Sequence, residues 1–321
     1  MLVNLLKVAF GIAVLAAGGE AVIRGALGAA KRLGVSPMMA GLVIVGFGTS
    51  APELVVSVDA AASKQPGIAL GNVIGSNIGN ILLILGCCAL IRPLSISRRL
   101  LIRDGVVALS AAIVFIMLAL GSGLTRVDGV VMIVLLGVYL AWAYWSEVKG
   151  DSRIAAVHAA EADEVQLLPR PALLIVLCVV GGLFLLIGGS RLTLAGALGL
   201  GQALGVPSAV IGLTVVAVGT SLPEFTVSVL ATLRRHADVA VGNILGSNIF
   251  NTLGILGISA TLQTLSLEGR MSLIDQWVML GSTVVLLAFL TTGHRVSRIE
   301  GGILLIAYLV YSAAIFAFPT A

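Results

Sequence analysis

Residues 48–53 read GTSAPE and residues 219–224 read GTSLPE. Each stretch sets a glutamate directly after a proline, inside a run of apolar residues. Proline has no N–H, and its ring clashes with the carbonyl four residues back. Pro52 therefore frees the carbonyl of Gly48, and Pro223 that of Gly219. The neighbouring carbonyls of Thr49, Ser50, Thr220 and Ser221 are expected to loosen as well. At membrane depth such groups are tolerated only where something satisfies them, and an ionised carboxylate beside them is costly without a partner.

Composition places both stretches in a membrane. The 321 residues are 59% hydrophobic and 11% charged, with mean hydropathy +1.12, where a soluble domain carries about 25% charged residues. A membrane helix needs about 20 apolar residues. Ten such spans fall near 3–23, 36–61, 68–91, 104–122, 126–146, 171–190, 207–233, 238–265, 272–292 and 297–318. The alternating pattern of barrel strands is absent, so the fold class is an all-α integral membrane protein. The 39 glycines fit close helix approach. Cys87, Cys88 and Cys178 lie in apolar spans without metal-ligand or disulfide spacing and are taken as packing residues.

The chain is one module used twice. Gly48 matches Gly219, Glu53 matches Glu224, Gly71 matches Gly242 and Asn80 matches Asn251, all 171 residues apart. GNVIGSNIGN at 71–80 is followed at the same offset by GNILGSNIFN at 242–251. Upstream, residues 18–33 answer 189–204, which argues that the first span is kept and is not a cleaved leader. Five spans per copy is an odd number, so the second copy is inverted. The expected architecture is ten transmembrane helices as two inverted five-helix repeats, 1–146 and 171–321, joined by a polar, acidic, solvated linker at 147–170. With the N-terminus outside, most of the 19 Lys and Arg residues face inward, among them Arg24, Lys31, Arg32, Arg98, Arg99, Arg103, Arg234 and Arg235. Both termini are then outside the cell (inner) membrane and the linker is cytoplasmic. The net charge of +4 reflects basic loops facing anionic lipid and calls for no nucleic acid.

Glu53 and Glu224 lie well inside their spans, with no Lys or Arg at comparable depth, and two carboxylates match one divalent cation. Ser76 and Asn80, with Ser247 and Asn251, add neutral oxygen donors at i, i+4 on one helix face. Hard oxygens in number suit Ca²⁺ or Na⁺ and not zinc or copper. Asn77 and Asn248 point elsewhere on the helix and read equally well as interhelical glue. Asp59, whose counterpart is Leu230, reads as an entrance or structural residue. Asp104, Asp128, Asp275 and Glu300 are expected at span ends, and Glu20 is spaced to pair with Arg24.

These two blocks resemble the paired repeats of the cation/Ca²⁺ exchanger superfamily, in particular its prokaryotic sodium/calcium exchanger branch. The resemblance spans the chain through its five-plus-five layout. It implies an ion site between spans 2, 3, 7 and 8, with spans 1 and 6 sliding against that core. It further implies that Glu53 and Glu224 bind Ca²⁺ with the backbone carbonyls of Thr49 and Thr220. Ser50, Ser76, Ser221, Ser247, Asn80 and Asn251 would line adjoining Na⁺ sites. Some K⁺-dependent members carry Asp where this chain has Asn251, so K⁺ co-transport is not expected. The alternative function is Ca²⁺/H⁺ antiport, whose first block usually places its acid in a GNxxE context absent here.

The expected partners are thus Ca²⁺, Na⁺ and membrane lipid, with no enzymatic cofactor and a functional monomer. Ca²⁺ and Na⁺ would compete for one centre, about three Na⁺ replacing one Ca²⁺ as the family suggests. An empty centre would resist the access step, because its carboxylates lie unpaired. Acid should inhibit by protonating them. A channel is disfavoured, because broken helices meeting at mid-membrane suit alternating access. A serine enzyme is disfavoured because His158, His236 and His294 all lie in loops, leaving Ser50 and Ser221 without a base.

Overall fold

The structure is a computed structural model and describes residues 1–95, 98–120, 123–148, 168–169, 171–204, 217–267, 269, 271–293 and 295–317. Most of the linker, with Asp151, His158 and its acidic run, lies outside these residues. So do His294 and the first part of the span expected at 207–233.

The chain is helical nearly throughout. The first helix, α1, covers Leu2–Leu33. A bent pair follows, α2 at Pro37–Thr49 and α3 at Ala51–Ala62, turning by 46°. Next come α4 (Pro66–Ile91), α5 (Arg98–Ala119) and α6 (Arg126–Val148). Helix α7 covers Ala172–Ala203, α8 Ala217–Thr220 and α9 Leu222–Leu233. Helix α10 is Ala237–Leu262, α11 is Gln276–Gly293 after a π turn at Met271–Asp275, and α12 is Arg298–Ala317. Among the described residues seven helices are long and apolar enough to cross a membrane, and the bent pair α2–α3 makes an eighth.

Two spans are longer than the sequence suggested. Helices α1 and α7 each have 32 residues, about 48 Å at 1.5 Å per residue, against about 30 Å of hydrocarbon. Arg24 looked like a membrane edge, but a charge limits burial in lipid and does not stop a helix. Helix α1 ends only at Gly34, whose φ of 68° supplies the left-handed cap. The two long helices cross backbone to backbone. A Cβ on Gly18 or on Gly182 would lie 2.8 Å from the other's carbonyl oxygen.

The interior is built around α10, 94% buried over its apolar window against 22% for α1 and α7. Helix α2 reaches it through glycines. A Cβ on Gly46 would lie 2.8 Å from the Ser247 nitrogen, and those on Gly242 and Gly246 would strike the carbonyls of Met38 and Leu42. The two ends of the bundle are tied by short pairings. Strand β1 (Leu94–Ser95) runs antiparallel to β2 (Arg295–Val296), and Leu124 bridges Leu265 beyond the far end of α5.

Three acids depart from the sequence reading. Asp104, expected at an interface, is fully buried, and Glu147, assigned to the solvated linker, sits inside α6 with its side chain 9% exposed. Arg103 joins them. Its Nε and Nη2 donate to the two Asp104 oxygens at 2.7 and 3.0 Å, and its Nη1 donates to Glu147 at 3.0 Å. Tyr139 donates a further bond to Asp104 at 3.0 Å, and the Ser36 amide donates to Glu147 at 2.9 Å. A buried acid persists where a guanidinium and hydroxyls replace its hydration. Asp275 is likewise buried and accepts from the Tyr311 hydroxyl. Asp128 and Glu300 do stand at helix starts, each in a reciprocal cap with Thr125 or Ser297. Glu20 pairs with Arg24 as its spacing suggested, and also with Arg234 at 3.2 Å.

The α1–α7 crossing is testable. Gly18→Ala should lower stability by about 1–3 kcal/mol through overpacking. Gly137→Ala, where an added Cβ meets nothing within 4 Å, should not. Thermal unfolding of the detergent-solubilised variants distinguishes the two.

Candidate functional site

Both proline–glutamate stretches break their helices at the serine. Ser50 has φ −80° and ψ 9°, and Ser221 has φ −88° and ψ 9°, so each leaves helical geometry for one residue. Proline at the next position but one tolerates this because it needs no hydrogen bond in the first turn. One expectation is corrected here. The Ser50 and Ser221 carbonyls are not loose: they accept from the amides of Leu54 and Phe225, each at 3.0 Å, because the helix resumes at once.

The breaks carry the two glutamates to the same place. Glu53 and Glu224 are each 1% exposed. Their contacts cross between the halves of the chain. Ser50 Oγ donates to Glu224 Oε1 at 3.0 Å, and Ser221 Oγ donates to Glu53 Oε1 at 3.4 Å. The Thr49 side chain also faces Glu224, and that of Thr220 faces Glu53. Neither carboxylate joins an ion pair among the described residues.

The asparagines repeat the crossing one layer away. Asn80 lies at the start of a π turn in α4 (Asn80–Leu85), and Asn251 lies within one in α10 (Phe250–Ile255). Such widened turns are frequent at functional sites. Asn80 Nδ2 donates to Asn248 Oδ1 at 2.9 Å, and Asn251 Nδ2 donates to Asn77 Oδ1 at 3.1 Å. Asn77 and Asn248 are therefore interhelical glue that orients the other pair. With their amide hydrogens engaged, Asn80 and Asn251 keep their carbonyl oxygens unpartnered, as are Glu53 Oε2 and Glu224 Oε2 among the described residues. A buried acceptor without a donor costs about 1–3 kcal/mol. Four in symmetric positions, two of them on carboxylates, form a set of hard oxygen donors suited to a cation.

Ser247 is also brought to the breaks, donating to the Gly46 carbonyl at 3.0 Å. Ser76 is buried one turn before Asn80. Asp59 is exposed beyond the cluster.

The sequence reading missed Asn72 and Asn243. Asn72 Nδ2 donates to the Glu53 carbonyl at 3.1 Å and to Ser57 Oγ at 2.9 Å. Asn243 Nδ2 donates to the Glu224 carbonyl at 3.2 Å and to Ser228 Oγ at 2.8 Å, and its oxygen accepts from Thr49 at 3.1 Å. These clamps hold the glutamate helices against α4 and α10. Both residue pairs obey the 171-residue offset, which was the available signal.

The sequence profile of the family described as sodium/calcium exchanger protein matches residues 3–145 and 174–317. The chain belongs to that family. It is 34% identical to the putative antiporter CaxA of Alkalimonas amylolytica over 98% of this chain and 99% of that one. It is 30% identical to the sodium/calcium exchanger MaX1 of Methanosarcina acetivorans, again over 98% and 99%. The fold is similar to that of the sodium-calcium exchanger NCX_Mj soaked with zero Na⁺ and Ca²⁺. That match has a TM-score of 0.85 at 28% identity and covers 98% of this chain and 99% of that one.

Removing the clamps should loosen the site. Asn72→Leu and Asn243→Leu each take a second donor from a helical glutamate carbonyl and leave a buried serine hydroxyl, Ser57 or Ser228, without its side-chain partner, at about 1–3 kcal/mol per unsatisfied group. Asn243→Leu should be the more destabilising, since Thr49 loses an acceptor too. Thermal unfolding of both variants beside wild type checks the order.

Proposed function

We propose that the chain is a secondary active antiporter that exchanges Ca²⁺ for Na⁺ across the cell membrane by alternating access. The observation that carries this reading is the crossed pair of buried glutamates. Each is held by the serine of the other half, and each keeps one oxygen unpartnered among the described residues. Family membership supports a cation cargo, and the hard oxygens support Ca²⁺ and Na⁺.

In this proposal the chain forms ten spans in two inverted repeats, 1–146 and 171–321, with both termini outside and the linker in the cytoplasm. It works as a monomer in lipid. Glu53 and Glu224 hold Ca²⁺, with the carbonyls of Thr49 and Thr220 beside it. Ser50, Ser76, Ser221, Ser247, Asn80 and Asn251 hold the competing Na⁺ ions. Ca²⁺ or Na⁺ neutralises the carboxylates, and a neutralised centre can change its exposed face. An unneutralised one meets the desolvation penalty of two buried charges, several kcal/mol each, so exchange is obligate.

The test is ⁴⁵Ca²⁺ uptake into proteoliposomes loaded with Na⁺, with K⁺ or with neither. Uptake should require internal Na⁺ and fall to background in Glu53→Gln and in Glu224→Gln. Uptake driven by an outward proton gradient without Na⁺ would instead make the chain a Ca²⁺/H⁺ antiporter. Wild-type uptake in both mutants would show the paired motif to be structural.

A further inference from the structure

Pro223 leaves the Gly219 carbonyl without its helical donor, and the structure fills that place from another helix. Ser190 of α7 donates its hydroxyl to the Gly219 oxygen at 2.6 Å. Ser190 is 6% exposed, so water does not compete for the bond. One turn along α7, Leu194 packs against Gly219 so closely that an added Cβ would meet its Cδ1 at 2.8 Å. Helix α7 thus grips the break on the side next to Thr220, which faces Glu53.

Among the described residues the first half shows no matching hydroxyl bond at its break. By the 171-residue offset, Ser190 corresponds to Gly19 in α1, which has no hydroxyl. At the Gly48 break the neighbour is the Leu183 side chain, also from α7, at 2.7 Å from a built Cβ. Helix α7 therefore touches both breaks, by an apolar contact at Gly48 and by a directional bond at Gly219. It is also a perimeter helix, joined to α1 through the Gly18–Gly182 crossing. A displacement of α7 along its axis leaves the apolar contact largely satisfied but strips the Gly219 carbonyl of its donor. That carbonyl is buried, so its loss is costly unless a cation in the site takes the oxygen instead.

We propose that Ser190 is a positioning residue that couples the register of α7 to ion occupancy at the Gly219–Glu224 break. It stabilises one arrangement of α7 by satisfying the carbonyl that Pro223 frees. This inference rests on the antiport reading above and adds to it a residue outside the proline–glutamate and glycine–asparagine motifs.

The test compares wild type, Ser190→Ala and Ser190→Thr in proteoliposomes, reading the KM for Ca²⁺ and kcat of Na⁺-dependent uptake. Ser190→Ala removes the hydroxyl that, on this proposal, favours one arrangement of α7 over the other. It should move KM and kcat together, by about fivefold or more in KM, which corresponds to roughly 1 kcal/mol at 1.4 kcal/mol per tenfold. Ser190→Thr, which keeps the hydroxyl, should restore both. If Ser190→Ala keeps wild-type KM and kcat, the proposal is overturned. It is equally overturned if Ser190→Ala only lowers thermal stability or yield while the inserted protein transports normally. If wild type itself shows no Na⁺-dependent Ca²⁺ uptake, the antiport reading fails separately. The coupling is then read by hydrogen exchange at 217–222 in ion-free protein. Faster exchange in ion-free Ser190→Ala that Ser190→Thr reverses and that added Ca²⁺ or Na⁺ removes supports the proposal, and equal exchange in all three, or a difference that the ions leave unchanged, overturns it.

Discussion

The structure depends on keeping two carboxylates in a low-dielectric interior where, among the described residues, no cationic side chain pairs with them. Glu53 and Glu224 are each 1% exposed, and each receives its serine from the opposite half of the chain. Two neutral hydroxyls, one from a serine and one from a threonine, offset only part of the desolvation of a carboxylate. The remaining demand falls on whatever else can approach the unpartnered oxygens, and the neighbouring amide oxygens of Asn80 and Asn251 point to the same kind of visitor. Neither half can build this centre alone.

The backbone serves that constraint. Each break is a single residue, Ser50 or Ser221, with the helix resuming in the next turn. Side-chain donors from other helices brace it: Asn72 and Asn243 add a second bond to the glutamate carbonyls, and Ser190 holds the one that Pro223 releases. Glycines on α2 and α10 let backbones touch, so the side chains of the site reach one another without long linkers. The buried Arg103–Asp104–Glu147 network braces α5 and α6 against the α1–α2 corner.

Much of this was legible in the sequence because the repeat made chance improbable. The proline–glutamate pair announced the break, the offset paired the glutamates, and Asn80 and Asn251 followed from i, i+4 spacing. Other features were illegible for physical reasons. Glu147 looked solvated because hydropathy records the charge and not the Arg103 that answers it. The ends of α1 and α7 were missed because a helix can outrun the membrane that contains it. Ser190 lies in the upstream repeated stretch 189–204 but opposite Gly19, so symmetry hid it. Asn72 and Asn243 were visible in the offset but were passed over beside the more conspicuous serines.

The most direct measurement of the central claim is equilibrium Ca²⁺ binding to the purified protein by titration calorimetry, with and without Na⁺. The crossed-glutamate centre predicts one Ca²⁺ per chain, an apparent affinity that falls steeply as Na⁺ rises, and no detectable binding in Glu53→Gln or Glu224→Gln. Ca²⁺ binding that ignores Na⁺, or that persists in both variants, would contradict the account.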